Sequence, residues 1–171
     1  FPFVLATPVP GPNSLNEFMS WAKQNSKNVS IGCAGTGTPS YYHGIMLGKK
    51  GGFESNMIPF LGGAPLMTAV AGGHVAAAMN AFGPDMINMH RAGRTRIVGI
   101  TGDQRSGHPE FTGVPTFSEL GLPTIPSGWF GLFLPAGASA QIVQAWNIAV
   151  TEVLKTDEIR ARFNDFGLTA R

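Results

Sequence analysis

Two turns in this chain have the composition of an anion site. The first, Gly35-Thr36-Gly37-Thr38-Pro39, follows the apolar run Val29-Ser30-Ile31-Gly32-Cys33. The second, Gly62-Gly63-Ala64-Pro65, follows Met57-Ile58-Pro59-Phe60-Leu61. Each joins a strand-like run to a helix, with proline near the first helical position, where its missing N–H had no helical partner. Glycine lets the backbone approach whatever sits above the turn. The free N–H groups and positive dipole end of each helix would then receive an anion, which suits a receptor for a small acid. The plainer reading is structural: glycine and proline punctuate any strand-to-helix turn, and Thr38 is first a helix cap.

Enzyme chemistry finds little support. The first turn lacks the third glycine of a dinucleotide loop and the Gly-Lys-Ser/Thr ending of a phosphate loop, and Gly48-Lys49-Lys50 has no hydroxyl residue after it. His43, His74, His90 and His108 show no metal-ligand pairing and read as surface or helix-capping residues, with only Cys33 to add sulfur. There is no Gly-x-Ser-x-Gly elbow. Asp85, Asp103 and Glu119 are isolated, so no catalytic carboxylate pair emerges. No metal and no cofactor is expected, and Cys33 reads as a small buried apolar residue.

The 171 residues suffice for a real core, in one domain or slightly more. Only 13% are charged, about half the usual share, against 43% hydrophobic. Lys and Arg are scattered and the net charge is +2, so no nucleic-acid stripe exists. No apolar run approaches the roughly 20 residues that span a bilayer. With one cysteine, no internal disulfide forms, which fits either redox compartment. The opening Phe1-Pro2-Phe3-Val4-Leu5 reads like the middle of a strand, and removal of something upstream is the expectation.

The elements that must position the two turns alternate. After an apolar segment at 4–9, Ser14-Leu15-Asn16-Glu17 reads as a capping box, with Glu17 reaching back to Ser14. It opens a helix to about Gln24, with Leu15, Phe18, Met19 and Ala22 as its buried stripe. A strand at Val29–Cys33 leads to a helix capped by Thr38, with Tyr42, Ile45 and Met46 inward and Gly51-Gly52 as its end. Strands are expected at 56–61, 75–79 and 96–101, with helices at 64–71 and Pro84–Arg91 between them. Such alternation implies parallel pairing. Beyond Thr101 a short helical turn at 117–120 precedes a strand at 129–134. Ser139 caps an amphipathic helix bearing Ile142, Val143, Trp146, Ala149, Val150, Val153 and Leu154 on one face. Asp157 caps a last helix, which Gly167 stops. Phe82 and Trp129 read as packing residues, and one of Tyr41 and Tyr42 as facing the ligand above the glycine turn while the other is core.

Several segments together resemble the extracytoplasmic receptors of tripartite tricarboxylate transporters, the Bug-type receptors. They are Gly35-Thr36-Gly37-Thr38, Pro59-Phe60-Leu61-Gly62-Gly63-Ala64-Pro65, Ala71-Gly72-Gly73-His74-Val75 and Arg91-Ala92-Gly93-Arg94. Gly113-Val114-Pro115-Thr116-Phe117-Ser118-Glu119-Leu120-Gly121 and Trp129-Phe130-Gly131-Leu132-Phe133-Leu134-Pro135-Ala136-Gly137 continue the series. No single stretch is specific; their order and spacing are.

The resemblance implies an α/β fold: a periplasmic-binding-protein type II-like lobe with a doubly wound, mostly parallel sheet, plus the return segment of a second, incomplete lobe. Residues 1–126 would form the family's second lobe and half of the ligand cleft. Residues 127–171 would be the return strand and helices of the first lobe, whose N-terminal part is expected to lie outside this chain. If so, a wide apolar patch should be exposed near Trp146 and Phe163. The family's second lobe offers amides and hydroxyls to a ligand carboxylate. Carried over, the ligand-binding candidates are Gly35, Thr36, Gly37, Thr38, Gly63 and Ala64, with Asn80 after the strand at 75–79. Family members often carry an acid near Asn80. A neutral amide there pairs poorly with a ligand ammonium and favours a plain carboxylic acid.

The implied function is a periplasmic, non-enzymatic receptor that captures a small carboxylate and delivers it to membrane permease subunits, without nucleic acid or membrane insertion. A ligand-sensing module of a regulator is the alternative, and a nucleotide-using enzyme, with the first turn on phosphate, is a third reading.

Overall fold

The computed structural model describes residues 1–122 and 128–168. The chain divides into two compact units, Pro2–Gly128, and Trp129–Arg171 together with Phe1. In chain order the first unit contains β1 (Phe3–Pro8), α1 (Leu15–Gln24), β2 (Val29–Cys33), α2 (Pro39–Gly51), β3 (Ser55–Pro59), α3 (Gly63–Ala71), β4 (Ala77–Ala81), α4 (Pro84–Arg91) and β5 (Thr95–Ile100).

The strands form a five-stranded sheet in the order β3-β2-β4-β1-β5. β2 pairs in parallel with both β3 and β4, as the alternation of strands and helices requires. β1 runs against β4 and β5, with Phe3 opposite Ala81 and Val4 opposite Ile100. The sheet is therefore mixed but mostly parallel. Periodicity fixes which residues of β1 are buried but carries no strand direction.

Helices cover both faces, so β1 is buried on each side and reads as a continuous apolar run. Val4 and Ala6 pack with Leu66, Val70, Met86 and Ile97. Leu5 packs on the opposite face with Leu15, Phe18, Ile31, Leu47 and Met79. Phe82, 5% exposed, belongs to the first of these clusters and lies 4.4 Å from Phe111 between ring centroids.

Several local expectations shift by a residue. Ser14 accepts from the Glu17 N–H, but the Glu17 carboxylate takes the Asn13 N–H rather than that of Ser14. The inward face of α2 is Ser40, His43, Gly44, Leu47, Gly48 and Gly51, while Tyr42 is exposed and Ile45 and Met46 are half-buried. The cause is glycine: a Cβ on Gly44 would meet the Met57 thioether, and one on Gly48 would lie 2.9 Å from the Phe53 carbonyl oxygen. The helix lies on the sheet through its smallest residues, which a search for apolar spacing passes over. Gly52 ends it with φ of 73°.

The second unit carries α5 (Ala140–Lys155) and α6 (Asp157–Asp165). Ser139 caps α5 by accepting from the Ile142 N–H. Asp157 is the first helical residue of α6 and Thr156 is its cap; the Thr156 hydroxyl donates to the Val153 carbonyl instead. Residues 129–134 form no strand, since they have no ladder partner among the described residues. Ile142, Val143 and Trp146 of α5 are about half exposed, and Phe163 is half-buried. Within this unit an apolar groove of about 590 Å³ lies between Leu132, Phe133 and Leu134 and α5 residues Val143, Trp146 and Val150.

Candidate functional site

β2 and β3 stop at the same level. Their last paired residues are Cys33 and Pro59, and the Phe60 N–H donates to the Cys33 carbonyl at 2.8 Å. The two glycine turns therefore leave one edge of the sheet side by side. β4 stands on the other side of β2, with Gly32 beside Ala78, so its last residues reach that edge too. Asn80 is inside β4 rather than after it, as its register with Val4 fixes. Ligands of open α/β sheets bind outside this carboxyl edge, where neighbouring connections diverge.

The first turn is held from within. Gly35 and Gly37 take φ of 98° and 73°, which side chains rarely tolerate. The Gly35 N–H donates to the Cys33 carbonyl at 3.1 Å, so it is not free for a ligand. The Thr38 hydroxyl donates to the Gly35 carbonyl at 2.9 Å and accepts from the Tyr41 N–H, while Ser40 Oγ lies 2.9 Å away. Thr38 is thus a cap that closes the turn. Thr36 and Gly37 are exposed. The amides of Thr36, Gly37 and Thr38 and the Thr36 hydroxyl have no hydrogen-bond partner among the described residues. Burial pushes the Cys33 thiol up, and its Sγ lies 3.6 Å from the Gly35 carbonyl, so it supports the turn as an inert thiol.

The second turn is more open. Gly62 takes φ of 100° and precedes α3 with no side chain capping the helix. Pro65 has no N–H, so Gly63 and Ala64 present the amides of the first turn of α3. Asn80 comes to this turn: a Cβ on Gly63 would lie 3.6 Å from Asn80 Nδ2. The same Cβ would lie 2.7 Å from Asp85 Oδ2 in the first turn of α4. Of the sequence candidates, then, the structure brings Gly63, Ala64 and Asn80 together, with the first turn beside them.

Two neighbouring residues escaped the sequence. Asp85, isolated in the chain, is placed at Gly63 by the α4 start at Pro84. His43, read as a surface or capping residue, is 4% exposed. Neither of its ring nitrogens has a partner among the described residues, and burial drives its pKa down to about 4. Its i, i+4 relation to the apolar Leu47 is the signal that could have turned it inward. Tyr41 is half-buried and Tyr42 exposed, so neither is core; their rings meet edge to face at 5.7 Å.

His108 does cap a short helical turn, accepting from the Glu110 N–H at 3.2 Å. Among the described residues no group of three His, Cys, Asp or Glu side chains is arranged to hold a metal. Among them, too, no helix is long and apolar enough to cross a membrane.

Comparison with known proteins gives one consistent answer. Protein BugT of Bordetella pertussis is 29% identical over 170 residues, covering 98% of this chain and 51% of that protein. MatC (Rpa3494) from Rhodopseudomonas palustris, solved with bound malate, is 30% identical with a TM-score of 0.82, over 99% of this chain and 58% of that one. R. palustris Rpa4515, solved with adipate, is 25% identical with a TM-score of 0.84, over 97% and 55%. The chain spans about half the length of the curated relatives that it matches over 98% of its own length. The fold is that of these solved structures, and the matched family is one of receptors, not enzymes. The family model for the tripartite tricarboxylate transporter family receptor matches residues 1–170, and the chain belongs to that family.

Proposed function

We propose that this chain carries half of the cleft of an extracytoplasmic receptor, which captures a small carboxylate and delivers it to the membrane permease subunits of a tripartite tricarboxylate-type transporter. In this reading residues 1–126 form one lobe, and residues 127–171 return to the other. The carboxylate accepts hydrogen bonds from the amides of Thr36, Gly37 and Thr38 and from the Thr36 hydroxyl, with Gly63, Ala64 and Asn80 completing this wall. Gly35 acts through the turn it closes, not through its N–H.

The observation that carries the reading is the shared level of the two turns, with open amides on both at one carboxyl edge. Charge-assisted hydrogen bonds from preorganised amides are the strong class of such contacts, and two helix starts add their positive ends. Binding across two lobes closes by hinge motion.

A thermal-shift panel on the full-length protein tests this, comparing mono-, di- and tricarboxylic acids with their uncharged amides and with ATP. The expected result is stabilisation by at least one acid and not by its amide. Stabilisation by ATP and by no acid would overturn the receptor reading in favour of a nucleotide enzyme.

A further inference from the structure

The two turns differ in charge. Around the first, the exposed groups are hydroxyls and amides. At the second, the Asp85 carboxylate stands against Gly63, with Oδ2 2.7 Å from where a Cβ would be, and Asn80 Nδ2 beside it at 3.6 Å. Asp85 is exposed and has no hydrogen-bond or ion-pair partner among the described residues. Its own helix start and that of α3 make the position favourable for a negative charge. The second turn is therefore supplied with an acid by the protein itself.

We infer that Asp85 is a specificity-determining residue, which makes the second turn accept a hydrogen-bond-donating group of the ligand, hydroxyl or ammonium, in place of a second carboxylate. The inference rests on the carboxylate reading above. The ligand carboxylate goes to the first turn, where no acid opposes it. A second carboxylate at Gly63 would meet a like charge, which disfavours the ionised pair. A hydroxyl donates to Asp85 and accepts from the Asn80 amide. An ammonium pairs with Asp85, so the charge that Asn80 lacks is provided five residues along the chain.

The test is calorimetric titration of the full-length protein with succinate, 4-hydroxybutyrate and 4-aminobutyrate, which share four carbons and differ in the far group. Wild type is expected to bind the hydroxy or amino acid more tightly than succinate, and the better of the two names the donor. Asp85→Asn is expected to shift the preference toward succinate by roughly fivefold, the range of an exposed charge pair. Asp85→Ser should do the same, and thermal unfolding of both variants checks the fold. If the acids bind and the preference among them is the same in wild type and both variants, whichever acid leads, the Asp85 assignment is overturned while the carboxylate reading stands. If none of the three binds, nor any acid of the wider panel, both fall together.

Discussion

The imidazole of His43 packs on the ring of Phe3, with centroids 4.9 Å apart and planes at 53°. Neither ring nitrogen has a partner among the described residues, so burial alone acts on its proton equilibrium and holds its pKa near 4 instead of 6.5. The folded chain takes up the proton later than the unfolded chain, so stability rises with pH across that window. It is fully present above about pH 6.5, falls as the pH drops toward 4, and the total loss is roughly 3 kcal/mol. His43→Leu should flatten stability over this window, and replacing an unpaired buried polar group by an apolar one should leave the chain at least as stable at pH 7. Urea unfolding at several pH values checks it; an unchanged slope in the variant would assign the acid sensitivity elsewhere.

The glycine face of α2 makes a second prediction. A Cβ at position 48 lies 2.7 Å from Ser55 Oγ and 2.9 Å from the Phe53 carbonyl oxygen. That carbonyl is backbone leading into β3 and cannot give way without moving the strand. Overpacking of this kind costs about 1–3 kcal/mol, against about 1 kcal/mol gained in helix propensity. Gly48→Ala is expected to lose up to about 2 kcal/mol. Gly44→Ala crowds only the flexible end of Met57, with Ile31 Cγ2 at an ordinary 3.6 Å, and should stay within about 1 kcal/mol of wild type. Equal losses in a denaturation series would contradict this account of the helix contact.

These same residues mark where the sequence was legible and where it was not. The turns, Thr38, the Pro84 helix start and the alternation of strands and helices along the chain all follow from local chemistry, because caps, glycines and prolines act within a few residues. The inward face of α2 did not, since small residues leave no hydrophobic period to read. The direction of β1 and the missing strand at 129–134 depend on partners far along the chain or absent among the described residues. Asp85 reached Gly63 only through the packing of α3 beside α4, which no spacing in the sequence encodes.

Thr38 separates scaffold from ligand chemistry. Its hydroxyl links the Gly35 carbonyl to the Tyr41 N–H. Thr38→Ala should lower stability by ~1 kcal/mol, as loss of a helix cap does, while Thr38→Ser should be nearly neutral. Unfolding midpoints measure both, and a harmless Thr38→Ala would show that the hydroxyl does not hold the turn.

The most direct test of the central claim is a ¹H–¹⁵N NMR titration of the full-length protein with an acid that stabilises it. The account predicts that the backbone amides of Thr36, Gly37, Thr38, Gly63 and Ala64 shift together and saturate at one affinity, while the engaged Gly35 N–H shifts less. Saturable shifts confined to residues remote from both turns would contradict it.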